Sequence, residues 1–521
     1  MKPFAATVAT LLALAISSSA TAAGDTSYSE QGKLIRASEA VGTLGADLFG
    51  DKVNLYTGTV EFIQNDASLP GNNDLPVSVG RRLVTGGDSI TNRGDGAFGD
   101  WELEIPHMHG VFALSGWQTS IGGDLRCTGF SAAPTANGTS GPSVWAGDEY
   151  WHGHFLYVPG AGSQEVLLRA SNNTNFPNDG RAWPLATKNL WSIGCLNSMT
   201  RGVGEGFIAI SPDGTQYQFD WMASRSYQPA TKSDRSPVLS VSPGTATTAS
   251  RSSVLSQSGT PLSQTVAGPR GGWELPNVVV GGPLNRVEVW IMPTLVTDRF
   301  GNTVRYTYNA AVPSQLQSIV ASDGRSITFS YLAGTGRIAS ISDGTRTWSY
   351  TYHSNAVGAM LDRVTLPDNT FWQFNADKLS AGTPMYLGDP GCDDEGGPEP
   401  TPATGTMTHP SGAQGSFTIL STLHSKAFVQ RQCRVDSSGG EVSAFYPRYF
   451  AHKSLTNKTL SGPGLPSMAW NYDYSPAAGT ASWSDCSGTC PDTKSVSVTD
   501  PRGYVTRYSF GNRHLVTEGQ L

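Results

Sequence analysis

Several groups of residues have types and spacings that chemistry could use. His107 and His109 form one H-x-H pair, and His152 and His154 form another. On a strand, residues two apart share a face, so each pair could present two imidazoles to one metal ion. Asp389, Asp393, Asp394 and Glu395 crowd an acidic segment that could offer calcium an oxygen-rich loop, without the spaced ligands and central glycine of an EF-hand. Asp213, Asp298, Asp323, Asp343 and Asp500 would suit a glycosidase if two of them flanked one bond. Trp348, Tyr350, Tyr352, Trp372 and Phe374 could stack on sugar rings if they faced outward. The sequence has no nucleophile elbow, no H-E-x-x-H helix and no phosphate loop.

Each of these groups has a plainer explanation in the elements that would position it. The aspartates recur at turns, where Asp hydrogen-bonds its own turn backbone and Gly supplies positive φ. The aromatics alternate with Ser, Thr and Gln, which points them toward a core. Trp101, Trp151 and Phe155 beside the histidines suit ordinary packing. The expectation is therefore no catalytic residue, no cofactor and no metal site.

The positioning element is a hairpin. In residues 295–308, LVTDRFGNTVRYTY, an apolar strand enters the turn Asp298-Arg299-Phe300-Gly301, and Val304, Tyr306 and Tyr308 then alternate with polar residues. Asp323-Gly324 leads in the same way to Phe329 and Tyr331, and Asp500-Pro501-Arg502-Gly503 leads to Tyr508 and Phe510. In all three the aromatics are the fifth and seventh residues after the glycine. Asp213-Gly214 places Phe219 and Trp221 at the same offsets, and Gly412 places Phe417 and Ile419 there. Asp343-Gly344 is out by one, as a bulge or longer turn would make it, and Asp368-Asn369 delivers Trp372 and Phe374. A lone hairpin with one aromatic face is marginal, and stacked neighbours bury that face continuously.

Composition fits this grammar. The chain has 521 residues with 60 Gly and 32 Pro, 10% aromatic and 15% charged, which suits an antiparallel all-β protein of short strands. The net charge of −7 is spread without basic runs, so nucleic acid is excluded as a partner. Residues 1–23 carry Lys2, an apolar run and small residues, the pattern of a secretory signal peptide, and no later stretch could span a membrane. Secreted, periplasmic or surface localisation follows. The six cysteines of an exported chain can pair in fifteen ways. Cys486 and Cys490 close a tight Gly-containing loop and form the best single pair, leaving Cys127 with Cys195 and Cys392 with Cys433 by elimination.

The run VNLYTG, SLPG and LPVSVGRR in residues 53–82, followed by FGDW at residues 98–101, resembles the N-terminal region of RHS-repeat (YD-repeat) proteins. The Asp-Gly hairpins ending in Tyr-x-Tyr, Phe-x-Tyr or Tyr-x-Phe are similar to the repeats of that family. The resemblance runs from about residue 50 to the end and implies hairpins spiralling into a large curved sheet or β-shell, closed or incomplete. Bacterial members enclose a C-terminal toxin, and animal relatives display an adhesion surface. The family's closing segment and toxin are not seen in this sequence, so no self-cleaving aspartate is carried over. The expected organisation is a signal peptide (1–23), an N-terminal β-rich region (24–224), a Ser/Thr/Pro/Gly-rich linker or loop (225–272) and a repeat region (273–521). The expected function is an exported structural shell around a C-terminal toxin cargo. The alternatives are a surface module binding glycan or protein and, less favoured, a secreted hydrolase.

Overall fold

The structure, a computed structural model, describes residues 47–85, 96–119, 124–131, 134, 151, 153–231, 284–356, 358–380, 400–431 and 446–521, with short strand pieces elsewhere. Residues 1–23, which read as a signal peptide, His152, Cys392, the acidic segment at 389–395 and most of the 225–272 stretch lie outside the described residues. The fold is all-β and antiparallel, as the turn-rich composition predicts.

The first body is a small sheet of β1 (Asp51–Val53), β2 (Val60–Ser68), β3 (Ser78–Val84) and β4 (Glu102–Glu104). It contains the VNLYTG-to-FGDW run and is called the plug below.

The second body is a closed barrel. Its strands are β5 (His107–Ala113), β6 (His154–Val158), β7 (Gly162–Leu168), β8 (Leu185–Thr187), β9 (Ser192–Leu196), β10 (Gly206–Ile210), β11 (Gln216–Thr231) and β12 (Leu284–Thr297). Each pairs with the next, and β12 returns to β5 from Arg286↔Ala113 to Ile291↔Met108. Alternate residues fill the interior, among them Met108, Phe112, Leu156, Phe207 and Ile291, and the segment bearing Trp117, Cys127 and Phe130 packs into the same core. Among the described residues, side chains fill the barrel interior. The barrel also shows that β11 runs on to Thr231, into the stretch whose composition reads as a linker. β11 and β12, from either side of that stretch, are hydrogen-bonded neighbours.

The third body is a wall that grows out of the barrel. β12 gives one edge to β11, and its other edge is shared: residues 286–291 pair with β5, whereas residues 295–297 pair with the first wall strand. From there the chain adds strands in sequence order: β13 (Thr303–Tyr308), β14 (Leu316–Ala321), β15 (Ser326–Tyr331), β16 (Ile338–Ser342), β17 (Thr347–Ser354), β18 (Ala359–Thr365) and β19 (Phe371–Asn375). They continue as β20 (Pro402–Thr408), β21 (Gln414–Ser425), β22 (Tyr449–Gly462), β23 (Leu465–Tyr474), β24 (Thr493–Thr499) and β25 (Val505–Gly511). Because consecutive strands are antiparallel, the turns at Asp298, Asp323, Asp343, Asp368, Gly412 and Asp500 all fall on one edge of the wall. Connections of more variable length occupy the other edge.

Three wall tyrosines, Tyr308 and Tyr331 at the seventh position after their turn glycine and Tyr352 at the eighth, share a second job. Tyr308 donates its hydroxyl to the Pro293 carbonyl at 2.8 Å, Tyr331 to Leu316 at 2.8 Å and Tyr352 to Ile338 at 2.6 Å. Each ring therefore bolts its strand to one laid down earlier in the chain. A break in strand register lies immediately before each of the three, at Thr307/Tyr308, Ser330/Tyr331 and Thr351/Tyr352. In each case the extra residue, Gln317, Ala339 or Asp362, lies on the following strand, opposite the one that the tyrosine hydroxyl reaches.

The aromatic face of the wall is closed by the plug. Phe49, Phe62, Phe98 and Trp101 share one buried core with Tyr306, Trp348, Tyr350, Trp372, Phe374 and Phe417. Phe62 and Phe417 meet edge-to-face at 4.7 Å, and Trp101 lies 5.3 Å from Phe374. Among the described residues, no helix is long and apolar enough to cross a membrane.

Candidate functional site

The histidine pairs do not make a metal centre among the described residues. His107 and His109 lie on the outer face of β5, 5.1 Å apart, and each has a hydrogen-bonding partner: Nδ1 of His107 meets the Ile105 carbonyl at 2.9 Å and Nε2 of His109 meets Ser163 Oγ at 2.8 Å. His154 is buried on the opposite side of the barrel wall, stacked on Trp117 at 4.6 Å and packed against Phe112 and Phe130. Burial pushes His107 down to about 4 and His154 to about 3, so both rings are neutral at physiological pH. No cluster of three or more potential metal ligands occurs among the described residues.

The turn aspartates are occupied by their own backbones. Asp298 Oδ1 accepts from the amides of Phe300 (2.8 Å) and Asn302 (2.9 Å), and Asp500 Oδ1 from those of Arg502 and Tyr504 (both 2.9 Å). Asp213, Asp323, Asp343 and Asp368 accept in the same way from the amide two residues on. For Asp213, Asp323 and Asp368, donated side-chain hydrogen bonds hold the carboxyl below its usual range; for Asp343 the Arg346 amide does this. A carboxylate stabilised in its charged form by a turn is a poor general acid. Gly214, Gly301, Gly324 and Gly503 hold the positive φ that these turns require, from 84° to 92°.

Of the register aromatics, Tyr306, Tyr308 and Phe510 are buried, and Phe329, Tyr331 and Tyr508 are half-buried against the same core. Trp348, Tyr350, Trp372 and Phe374 are buried too, which leaves none of these four as an outward sugar platform. Disulfides join Cys127 to Cys195 and Cys486 to Cys490, with Cα atoms 5.5 and 6.3 Å apart.

Polar chemistry concentrates instead where plug meets wall. Arg81 on β3 pairs with Asp66 on β2 at 3.0 Å, both side chains essentially inaccessible, and the Tyr350 hydroxyl of the wall donates to Asp66 at 3.0 Å. The Arg81 guanidinium lies between Trp101 of the plug and Phe374 of the wall, 4.7 Å from each ring centroid. Lys458 on β22 meets Asp51 on β1 at 2.5 Å, equally buried. Burial raises the Asp51 carboxyl, with Lys458 opposing. Arg325, next to the Asp323-Gly324 turn, holds the loop between β2 and β3: Nη1 donates to the carbonyls of Leu69 (2.9 Å) and Leu75 (3.1 Å), and Nη2 to Asn73 (3.0 Å). Asp323 fixes the same guanidinium from behind at 2.8 Å. Asp100, in FGDW, accepts from the Leu361 amide at 2.8 Å and from the Ser380 hydroxyl at 2.6 Å. Its burial raises it to about 6.

A buried Ser-His pair also lies at this seam. His424 Nε2 is 2.9 Å from Ser454 Oγ, and Lys494 Nζ is 3.3 Å from His424 Nδ1. Ser454, however, donates its single proton to the Thr57 carbonyl at 2.6 Å. Nε2–H must then donate to Oγ, and Nδ1 accepts from Lys494. The imidazole is thus in the wrong tautomer to take the serine proton, and this is a structural bond from wall to plug.

Arg81, Asp66, Asp51, Lys458, Arg325 and Asp100 escaped sequence reasoning as site residues. The available signal was the polar remainder of the quoted segments, Arg81 in LPVSVGRR and Asp100 in FGDW, together with the arginine following Asp323-Gly324. A cavity of about 180 Å³ lies at the meeting of plug, barrel and wall, lined in part by Glu104, Tyr217 and Tyr306.

No family model matches the chain, and no curated protein matches it. Among solved structures, one described as the crystal structure of TcdB2-TccC3 is 7% identical, with a TM-score of 0.17, over 92% of this chain and 17% of that one. Another, described as TcdB2-TccC3-TEV, is 11% identical with a TM-score of 0.15, over 89% of this chain and 26% of that one. This chain spans about a quarter or less of the length of either. Likeness at these scores carries no argument about fold or function.

Proposed function

We propose that this chain is the exported, non-catalytic wall portion of an RHS-type shell, with a C-terminal toxin as its cargo. One observation carries the reading: the wall is a single run of consecutive hairpins whose aromatic face is sealed by the plug of the same chain. The buried ion pairs, the arginine clasp and the tyrosine bolts all join strand to strand or plug to wall. That arrangement makes a stiff barrier. The test is to sequence the locus downstream of residue 521, measure the intact mass of the exported product, and probe it by limited proteolysis. A product that continues through further hairpins into an unrelated, protease-shielded segment supports the shell. A product that ends here with nothing enclosed overturns it.

A second reading, a surface module for glycan or protein, is favoured by Phe300 and Tyr504. These are 76% and 69% exposed at two of the tight turns on the same edge of the wall. A glycan array probed with the purified chain and with Phe300→Ala/Tyr504→Ala tests it.

A further inference from the structure

The hydrogen bonds around His424 run in one direction. Lys494 Nζ donates to Nδ1 at 3.3 Å, Nε2–H donates to Ser454 Oγ at 2.9 Å, and Ser454 donates to the Thr57 carbonyl of the plug at 2.6 Å. A further proton on the ring can go only to Nδ1, and Lys494 already points a donor there. What this relay holds is the turn at residues 54–59, between β1 and β2 of the plug. Leu455, next to Ser454 on β22, donates its amide to the Gly58 carbonyl at 2.7 Å, and the Tyr56 hydroxyl donates to Asn512 at 3.0 Å. Gly58 sits so close to the wall that an added Cβ would collide with the Ser454 side chain and the Tyr474 hydroxyl. With no slack at that contact, a shift of Ser454 is passed to the turn.

The surroundings accommodate one positive charge and not two. His424 is 2% exposed and Lys494 5%. The Tyr56 ring lies 3.7 Å from Nζ and the Phe450 ring 5.1 Å, faces that suit an ammonium. Around the imidazole stand Phe450, stacked at 5.3 Å, Tyr474, edge-on at 5.5 Å, and His452 of β22 at 6.3 Å, none of them an anion. Glu518 is the carboxylate that acts on Lys494, and it already meets Lys426 at 3.6 Å and His514 at 3.1 Å. Burial, reinforced by Lys494 and His452 and opposed by the Thr57 carbonyl, holds His424 well below its ordinary 6.5. Once the turn is released the imidazole meets water and returns to that value. The open form then takes up a proton that the closed form refuses, so closure is fully favoured above pH 6.5 and is lost as pH falls below it. We propose that His424 is an acid-operated latch: a proton at Nδ1 breaks the bond from Lys494, sets two cations side by side at the seam and frees the plug's 54–59 turn from β22.

The experiment is hydrogen–deuterium exchange of the full chain at pH 7.5 and pH 5, read by mass spectrometry and corrected for the intrinsic pH dependence of amide exchange. One proton taken up at an ordinary histidine value should raise the opening constant of the 54–59 turn and of the Leu455 amide on the order of thirtyfold. Barrel strands β9 and β10, which carry no histidine, should change far less. His424→Gln keeps a donor toward Ser454 but cannot take the proton, and should remove the acceleration. Wild-type protection of the turn that is the same at both pH values, or that falls in step with β9 and β10, overturns the latch without recourse to any variant. Equal acceleration in a folded His424→Gln protein overturns it as well. The outcome does not depend on what the wall encloses, so the shell reading stands or falls separately.

Discussion

Removing the countercharge of Arg81 is the sharpest test of how plug and wall are joined. In Asp66→Asn the shape of the side chain is kept and Tyr350 retains an oxygen to donate to, but the Arg81 guanidinium becomes a buried charge with no carboxylate beside it. Its terminal nitrogens already have no hydrogen-bond acceptor among the described residues and rest on the faces of Trp101 and Phe374. Breaking a buried pair from one side typically costs about 3–5 kcal/mol. With a urea dependence of roughly 3 kcal/mol per molar for a large chain, that lowers the midpoint of plug unfolding by about 1–1.7 M. Tryptophan fluorescence is the natural assay, because Trp101 and Trp372 lie 4.7 and 5.9 Å from the guanidinium carbon. The apolar double replacement Asp66→Leu/Arg81→Met removes both charges and should recover stability to within about 1–2 kcal/mol of wild type. A midpoint unchanged in Asp66→Asn, or a double variant no better than the single one, would refute the view that a mutually dependent ion pair holds this interface.

Arg325→Lys replaces a forked donor with a point charge that cannot reach Leu69, Leu75 and Asn73 together. A loss of about 1.5–3 kcal/mol and faster amide exchange across residues 69–75 are expected, whereas unchanged exchange would show the clasp to be incidental. Tyr352→Phe deletes one bolt and should cost about 1 kcal/mol, and Tyr331→Phe the same. The measured check is urea unfolding of the single and double variants. Asp100 gives a pH signature. Its folded-state value of about 6 lies above the ordinary 3.8, so the folded form binds the proton more readily and gains stability as pH falls from about 7 toward 4. Asp100→Asn should flatten that slope by about 2–3 kcal/mol, read as the wild-type minus variant difference at pH 7 and pH 4.5, and parallel profiles would exclude it.

Within 295–511 most of the local grammar was legible in the sequence. Asp at the turn, Gly at positive φ and aromatics at the fifth and seventh positions each state a local preference, and the antiparallel hairpins with their buried face follow from it. The off-by-one count after Asp343 was visible as well. The Asp343 turn is the shorter one, leaving four residues (343–346) between paired positions where the Asp298 and Asp323 turns leave five, and Trp348 and Tyr350 still reach the core. The Cys486–Cys490 bond also needed only sequence proximity. What the sequence could not state was which surface covers each face. The alternation of β5 says that Met108 and His109 face opposite ways, but it does not say that β12 will close a barrel against that strand from more than a hundred residues away. Nor does it say that the plug, and not another hairpin, will lie on Trp372 and Phe417. Period and propensity are properties of neighbouring residues, whereas the ion pairs of Asp51 with Lys458 and the clasp of Arg325 on Leu69 exist only once distant segments have been packed together. The residue types at each turn and strand were set by the sequence alone. The seam that binds plug to wall, and the cavity it leaves beside Glu104, were decided by the tertiary structure, because burial converts charges that would be solvated on any isolated hairpin into interactions that only the assembled fold can satisfy.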